Sequence, residues 1–194
     1  MNVTPLSLIT ANQRKVRMRP IELPLPSVHG LRIVESGYIT ETLAIYKSEY
    51  LALREAAWDG RQITGAFEAS PYPFTRPGHI DYVTAAMATL YLSQLSYVAA
   101  RLLIEEGAFP ARQKLSMAYF FETRDAGDQV ITRLDARFRQ KIPVSGALVE
   151  VHESLDALSL SRSHVFVQFR FKFAQCAFRG DIVVAMPLPE PVRE

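Results

Sequence analysis

Residues 71–81 read PYPFTRPGHID and gather a phenol, a guanidinium, an imidazole and a carboxylate into one proline-stiffened stretch. The Tyr72 hydroxyl could donate to a carbonyl or orient a nucleophile. His79 titrates near neutral pH and suits a general acid or base. Asp81 could fix the imidazole tautomer or hold a water. The apolar run that follows predicts a long helix, so Gly78 and His79 are expected at its N-terminus. Unpaired N–H groups and the positive dipole end would polarise an oxygen placed there. Arg54, Arg61 and Arg76 are the cations nearby in sequence that could hold a carboxylate. The plainer alternative is a Pro-Gly turn that only starts a helix.

Other chemistries find little footing. His29, His79, His152 and His164 lie far apart and form no ligand pair, and no G-x-S-x-G elbow, Walker loop, G-x-G-x-x-G, H-E-x-x-H or C-x-x-C occurs. Neither metal nor nucleotide cofactor is expected. The single cysteine, Cys176, rules out an intrachain disulfide and reads as a small buried hydrophobe. A net charge of +2 argues against a nucleic-acid partner. Tyr82–Ala100 is uncharged and near the length of a bilayer span, yet it carries Thr84, Thr89, Ser93, Gln94 and Ser96. It reads as a helix wrapped by protein rather than by lipid. The N-terminus lacks the pattern of a secretory signal, which leads to a cytoplasmic expectation.

The elements that must position these residues follow from pattern. At 194 residues and 48% hydrophobic, the chain is sized for a single domain. Residues 1–39 read as an arm, with Pro20–Pro26 an extended, structureless connection; 40–188 form the domain and 189–194 a tail. A helix is expected over Thr40–Glu49, with Thr40 as its cap. Leu51–Trp58 and Gln62–Ala69 flank Asp59-Gly60, a hairpin signal. The long helix is expected from His79 to Glu106, closed by Gly107. Strands follow at Leu115–Glu122, Gln129–Gln140, Ala147–His152, His164–Phe173 and Ile182–Met186. In Gln129–Gln140 the set Val130, Thr132, Leu134, Ala136 and Phe138 shares one face. One long apolar helix is best buried by a curved antiparallel sheet wrapped around it, an α+β hot-dog fold. Tyr91, Leu95, Val98 and Leu102 would then line either an apolar tunnel or a plain core. The free strand edge predicts a homodimer or a higher homo-oligomer.

The run Tyr72…Gly78-His79-Ile80-Asp81, followed by Tyr91-Leu92-Ser93-Gln94-Leu95-Ser96-Tyr97, resembles the FcoT-like thioesterase family. These hot-dog proteins carry a Tyr, a Gly-His-Phe-Asn helix start and an Asn-Gln-Leu-x-Tyr midway along the helix. Ala136-Arg137-Phe138-Arg139 is similar to the family's Ser-Arg-Phe-Arg, and the resemblance spans Tyr50 to Met186. It implies chemistry on fatty acyl thioesters of coenzyme A or an acyl carrier protein, without a cofactor. Some relatives hydrolyse the thioester. Others, in natural-product pathways, add the amine of glycine to the β-carbon of a 2-enoyl thioester and then release the acid. Tyr72 and His79 map onto the catalytic pair, with Gly78, Tyr91, Ser93, Gln94 and Tyr97 around the substrate. Here the Tyr-to-His spacing is longer, and Asp81 and Ser93 replace family asparagines. An Asp at 81 could act as a true general base. The basic faces Arg133/Arg137/Arg139 and Arg170/Lys172 could meet a phosphopantetheine phosphate or an acidic carrier protein. The expectation is glycine addition with thioester release, ahead of simple hydrolysis and of a non-catalytic acyl-binding module.

Overall fold

The structure, a computed structural model, describes residues 21–69, 81–109, 115–144, 148–173 and 176–189. Its elements are β1 (Ile21–Leu23), β2 (Arg32–Val34), α1 (Ser36–Thr42), β3 (Leu53–Trp58), β4 (Gln62–Glu68), α2 (Ala85–Glu105), α3 (Met117–Asp125), β5 (Val130–Phe138), β6 (Leu148–Leu160), β7 (His164–Phe173) and β8 (Phe178–Pro187). The strands form one antiparallel sheet of eight, ordered β2-β3-β4-β6-β7-β8-β5, with β1 pairing the far half of β6. α2 lies against its concave face. Ile63, Phe67, Val151, Phe169 and Phe173 point inward with α2's Leu92, Leu95 and Val98, all at most 2% exposed. This is the α+β hot-dog architecture. α2 is the one described helix long and apolar enough to cross a bilayer, but 72% of its most apolar window is buried in the fold, as a core helix is.

Local chemistry accounts for the ends of elements. Gly60 turns the β3–β4 hairpin with φ +96°, and the Asp59 carboxylate accepts from the N–H groups of Arg61 and Gln62. Gly107 closes α2 at φ +68°, with its own N–H and that of Ala108 bonded back to Ile104 and Leu103.

Several expectations are corrected. α2 begins at Ala85 rather than His79, because the Thr84 hydroxyl caps it by accepting from the Met87 N–H, and 81–83 is extended backbone bridged to 142–144. Residues 115–122 hold no strand. Ser116 caps α3 by accepting from Tyr119 N–H, and Phe120, Thr123 and Arg124 bury one helical side. The first helix is Ser36–Thr42, not Thr40–Glu49, and the Thr40 hydroxyl donates to the Ser36 carbonyl instead of capping. The folded unit starts before Thr40, since β1 and β2, taken for an arm, pair with β6 and β3. β6 runs to Leu160, well past His152, with a bulge near Leu155. A second bulge, between Ile131 and Arg133, moves Ile131 inward and leaves Val130 46% exposed, so the face read through Val130 and Thr132 is broken.

Candidate active site

Midway along α2 the helix turns a polar strip toward the sheet. Each turn there carries a hydroxyl or amide among apolar neighbours, and each has found a partner. The Ser93 hydroxyl lies 2.8 Å from the Tyr46 hydroxyl. Gln94 is fully buried; its oxygen accepts from the N–H groups of Ala52 and Leu53, and its amide donates to the Tyr50 carbonyl. The Tyr97 hydroxyl donates to the Gln129 carbonyl. Ser96 has the most consequential partner. Its hydroxyl sits 3.1 Å from both carboxyl oxygens of Glu153 on β6.

Glu153 is 0% exposed. Period-two alternation puts it inward with Val149, Val151 and Leu155, beneath the middle of α2. Burial pushes its carboxyl well above the usual carboxylate range, with the Ser96 hydroxyl pulling partly back. Beside the pair, between α2 and the β5–β8 edge, lies a cavity of about 30 Å³ lined by Ser93, Ser96, Tyr97, Gln129, Val130 and Ile131. That is room for a water molecule. Gln129 is 7% exposed and anchors its amide on the Phe120 carbonyl and the Thr123 hydroxyl. Its Oε1 is buried without a hydrogen-bond partner among the described residues. A buried acceptor in that state would take a donor such as water. Burial raises the pKa of Tyr97 and pushes Tyr46 up to about 12, so both phenols stay protonated as donors.

The expected site residues divide. Tyr72, Arg76, Gly78 and His79 lie outside the described residues. Ser93, Gln94 and Tyr97 are brought together on α2, but Gln94 is wholly engaged in holding the start of β3 and offers nothing to a substrate. Tyr91 is 2% exposed and stacks on Phe67 at 4.7 Å, so it is core rather than tunnel wall. Asp81 is exposed and precedes the helix instead of sitting in its first turn; its carbonyl accepts from Val144 N–H. Arg54 pairs with Glu68 at 2.6 Å, and Arg61 donates to the Pro26 carbonyl, both away from the α2 strip. Cys176 is exposed, not buried. Sequence reading missed Glu153 and Gln129. The first was legible had the alternation Val149, Val151, Leu155 been carried past His152. No group of metal-binding side chains occurs among the described residues.

The sheet and helix superpose on a point mutant of thioesterase PA1618 from Pseudomonas aeruginosa with a TM-score of 0.52 at 10% identity, over 80% of this chain and 96% of that one. A homologue of HP0420 from Helicobacter felis matches with a TM-score of 0.44 at 12% identity, over 80% of this chain and 92% of that chain. No family model and no curated protein sequence matches the chain. The fold class is therefore hot-dog.

Proposed function

We propose that the protein hydrolyses acyl thioesters, with Glu153 as general base acting through Ser96. The observation that carries this reading is the buried Ser96–Glu153 pair beside a small cavity that Gln129, with its unpartnered Oε1, helps to line. The thioesterase among its structural neighbours agrees with it. A water in that cavity can be held by Gln129 Oε1 and Ser96. As its oxygen adds to the thioester carbonyl, its proton passes to Ser96 while the Ser96 proton passes to Glu153. Collapse breaks the C–S bond, and the thiolate takes up the proton to leave as free thiol. Only the ionised form of Glu153 can take this proton, and because burial raises its pKa that form gains population as pH rises, so turnover is expected to climb with pH; such catalysis contributes typically 10²–10⁴-fold.

Acyl-CoA and acyl-carrier thioesters are the substrate class, and the cytoplasm the setting. Glycine addition to a 2-enoyl thioester is the finer alternative, resting on Tyr72 and His79. Mass spectrometry of 2-enoyl-thioester incubations with and without glycine separates the two: free acid alone supports hydrolysis, and a mass gain of one glycine supports addition. Glu153→Gln and Ser96→Ala are expected to lower thioester turnover at least about 100-fold. Full turnover in both folded variants would overturn the assignment of the base. His79→Ala tests the separate expectation at the turn.

β5 also belongs to this proposal. It is paired to β8 on one side only among the described residues, and Leu134 and Phe138 on it are 36% and 43% exposed. A second copy laying its β5 alongside would extend the sheet and bury that surface. Val130 and Ile131, which wall the cavity, would then lie at the subunit boundary.

A further inference from the structure

On the convex face of the sheet, opposite α2, three cations stand in one row. The pairing register sets Lys172 of β7 opposite Arg179 of β8, and Arg179 opposite Arg137 of β5. Strands at ~4.8 Å spacing make this row about 10 Å long. Like charges directly opposite one another oppose sheet formation. Among the described residues none of the three has an ion pair, whereas Arg170 in the next row is held 3.0 Å from Asp156 and 3.9 Å from Asp181. On the other side of Lys172 the row continues to His152, whose pKa burial lowers and Lys172 lowers further, against the pull of Glu150. The cations border a groove of about 510 Å³ with Ser154, Asp135 and Asp181 along its other side. That volume suits a small organic ligand. Gly180 keeps the row tight, because a Cβ there would lie 1.9 Å from the Asp135 carbonyl oxygen and force β5 off β8.

We propose that this groove binds a small ligand carrying a diphosphate or phosphate ester, of the nucleoside diphosphate class. Its phosphates would lie along Lys172, Arg179 and Arg137, relieving the repulsion that the register imposes. The acceptors Asp135, Asp181 and Ser154 would take sugar hydroxyls or amino groups. The two aspartates interrupt the positive field, which disfavours a long nucleic-acid strand, and the row repels a second copy of itself. The chemistry is shared by a free nucleotide and by the head group of coenzyme A. The proposal does not rest on thioester turnover, because the site is read by binding alone.

The test is calorimetric titration of the full chain at low ionic strength with ADP, coenzyme A and inorganic phosphate. Protection of Cys176 from alkylation gives a second readout, since this single cysteine lines the groove and is exposed. Binding and protection are expected with ADP and coenzyme A. Equal affinity for the two assigns the site to the nucleotide moiety, and marked preference for coenzyme A assigns it to the substrate's head group. Arg179→Ala is expected to weaken binding about 10-fold or more. Arg162→Ala, on the exposed turn between β6 and β7 and outside the groove, removes the same charge and is expected to leave affinity within about 2-fold. Thermal melts confirm that both variants fold. Absence of binding by all three ligands at millimolar concentration, or equal loss in both variants, would overturn the proposal.

Discussion

Glu153 ties stability to pH in a direction opposite to an ordinary surface carboxylate. Its folded pKa is raised by burial, so the neutral form is the one the fold prefers. Its favourable contribution is fully present below the unfolded value of about 4.3 and is lost as pH rises toward the folded value, at up to about 1.4 kcal/mol per pH unit. The melting temperature is therefore expected to fall as pH rises from the unfolded value toward neutrality. Glu153→Gln should flatten that slope and melt higher at pH 7.5 while losing turnover; calorimetric scans across pH check the first part and thiol release the second. Gln94 makes a contrasting case. Replacing it with Leu leaves the N–H groups of Ala52 and Leu53 and the Tyr50 carbonyl unpaired in the interior. Each such group costs about 1–3 kcal/mol, and a loss near 3 kcal/mol should lower the melting temperature by roughly 6–12 °C.

The helices flanking α2 depend on two buried arginines. Arg124 of α3 is 7% exposed and donates to the carbonyls of Glu41 and Thr42 at the end of α1, where a cation also meets the negative dipole end. Arg101 of α2 bonds Glu41 and the Thr42 hydroxyl and lies 3.7 Å over the Tyr38 ring. Arg124→Met should destabilise by about 2–3 kcal/mol and release α1 first, seen as faster hydrogen exchange over Ile39–Leu43 than in the rest of the chain. This docking also shows what pattern reading could and could not reach. The long helix, its Gly107 stop, the Asp59-Gly60 hairpin and the β7 alternation were legible because local chemistry alone determines them. Residues 115–122 mix Leu, Met, Tyr and Phe in an order that suits either period, and only the Ser116 cap and the burial of Arg124 against α1 decide for a helix. The β5 bulge depends on β8, a strand about fifty residues away in the chain, so no local signal marks it. At the site, Ser93 and Tyr97 were visible from the helix motif. Gln129 was not, because its role comes from α2 and α3 meeting around it.

At the scale of the molecule, β5 pairs only with β8 among the described residues, and its open edge is where a second copy is proposed to dock. Light scattering is expected to give a dimer, and Leu134→Arg, which places a charge among the exposed apolar residues of that edge, should shift it to monomer with the fold retained. The sheet's other long-range joint has a consequence in time rather than space. β6 pairs β4 through Ser154 and then β1 from Leu158 to Leu160, with Ile21 opposite Leu160. During synthesis the first strand has to wait until nearly the last hairpin has left the ribosome before it finds its place. β1 also adds few contacts once there, so it should be among the last segments to order and among the first to exchange with solvent. A chain interrupted after β4 would hold β1 and the inner faces of β3 and β4 uncovered, and such nascent chains are where aggregation would begin.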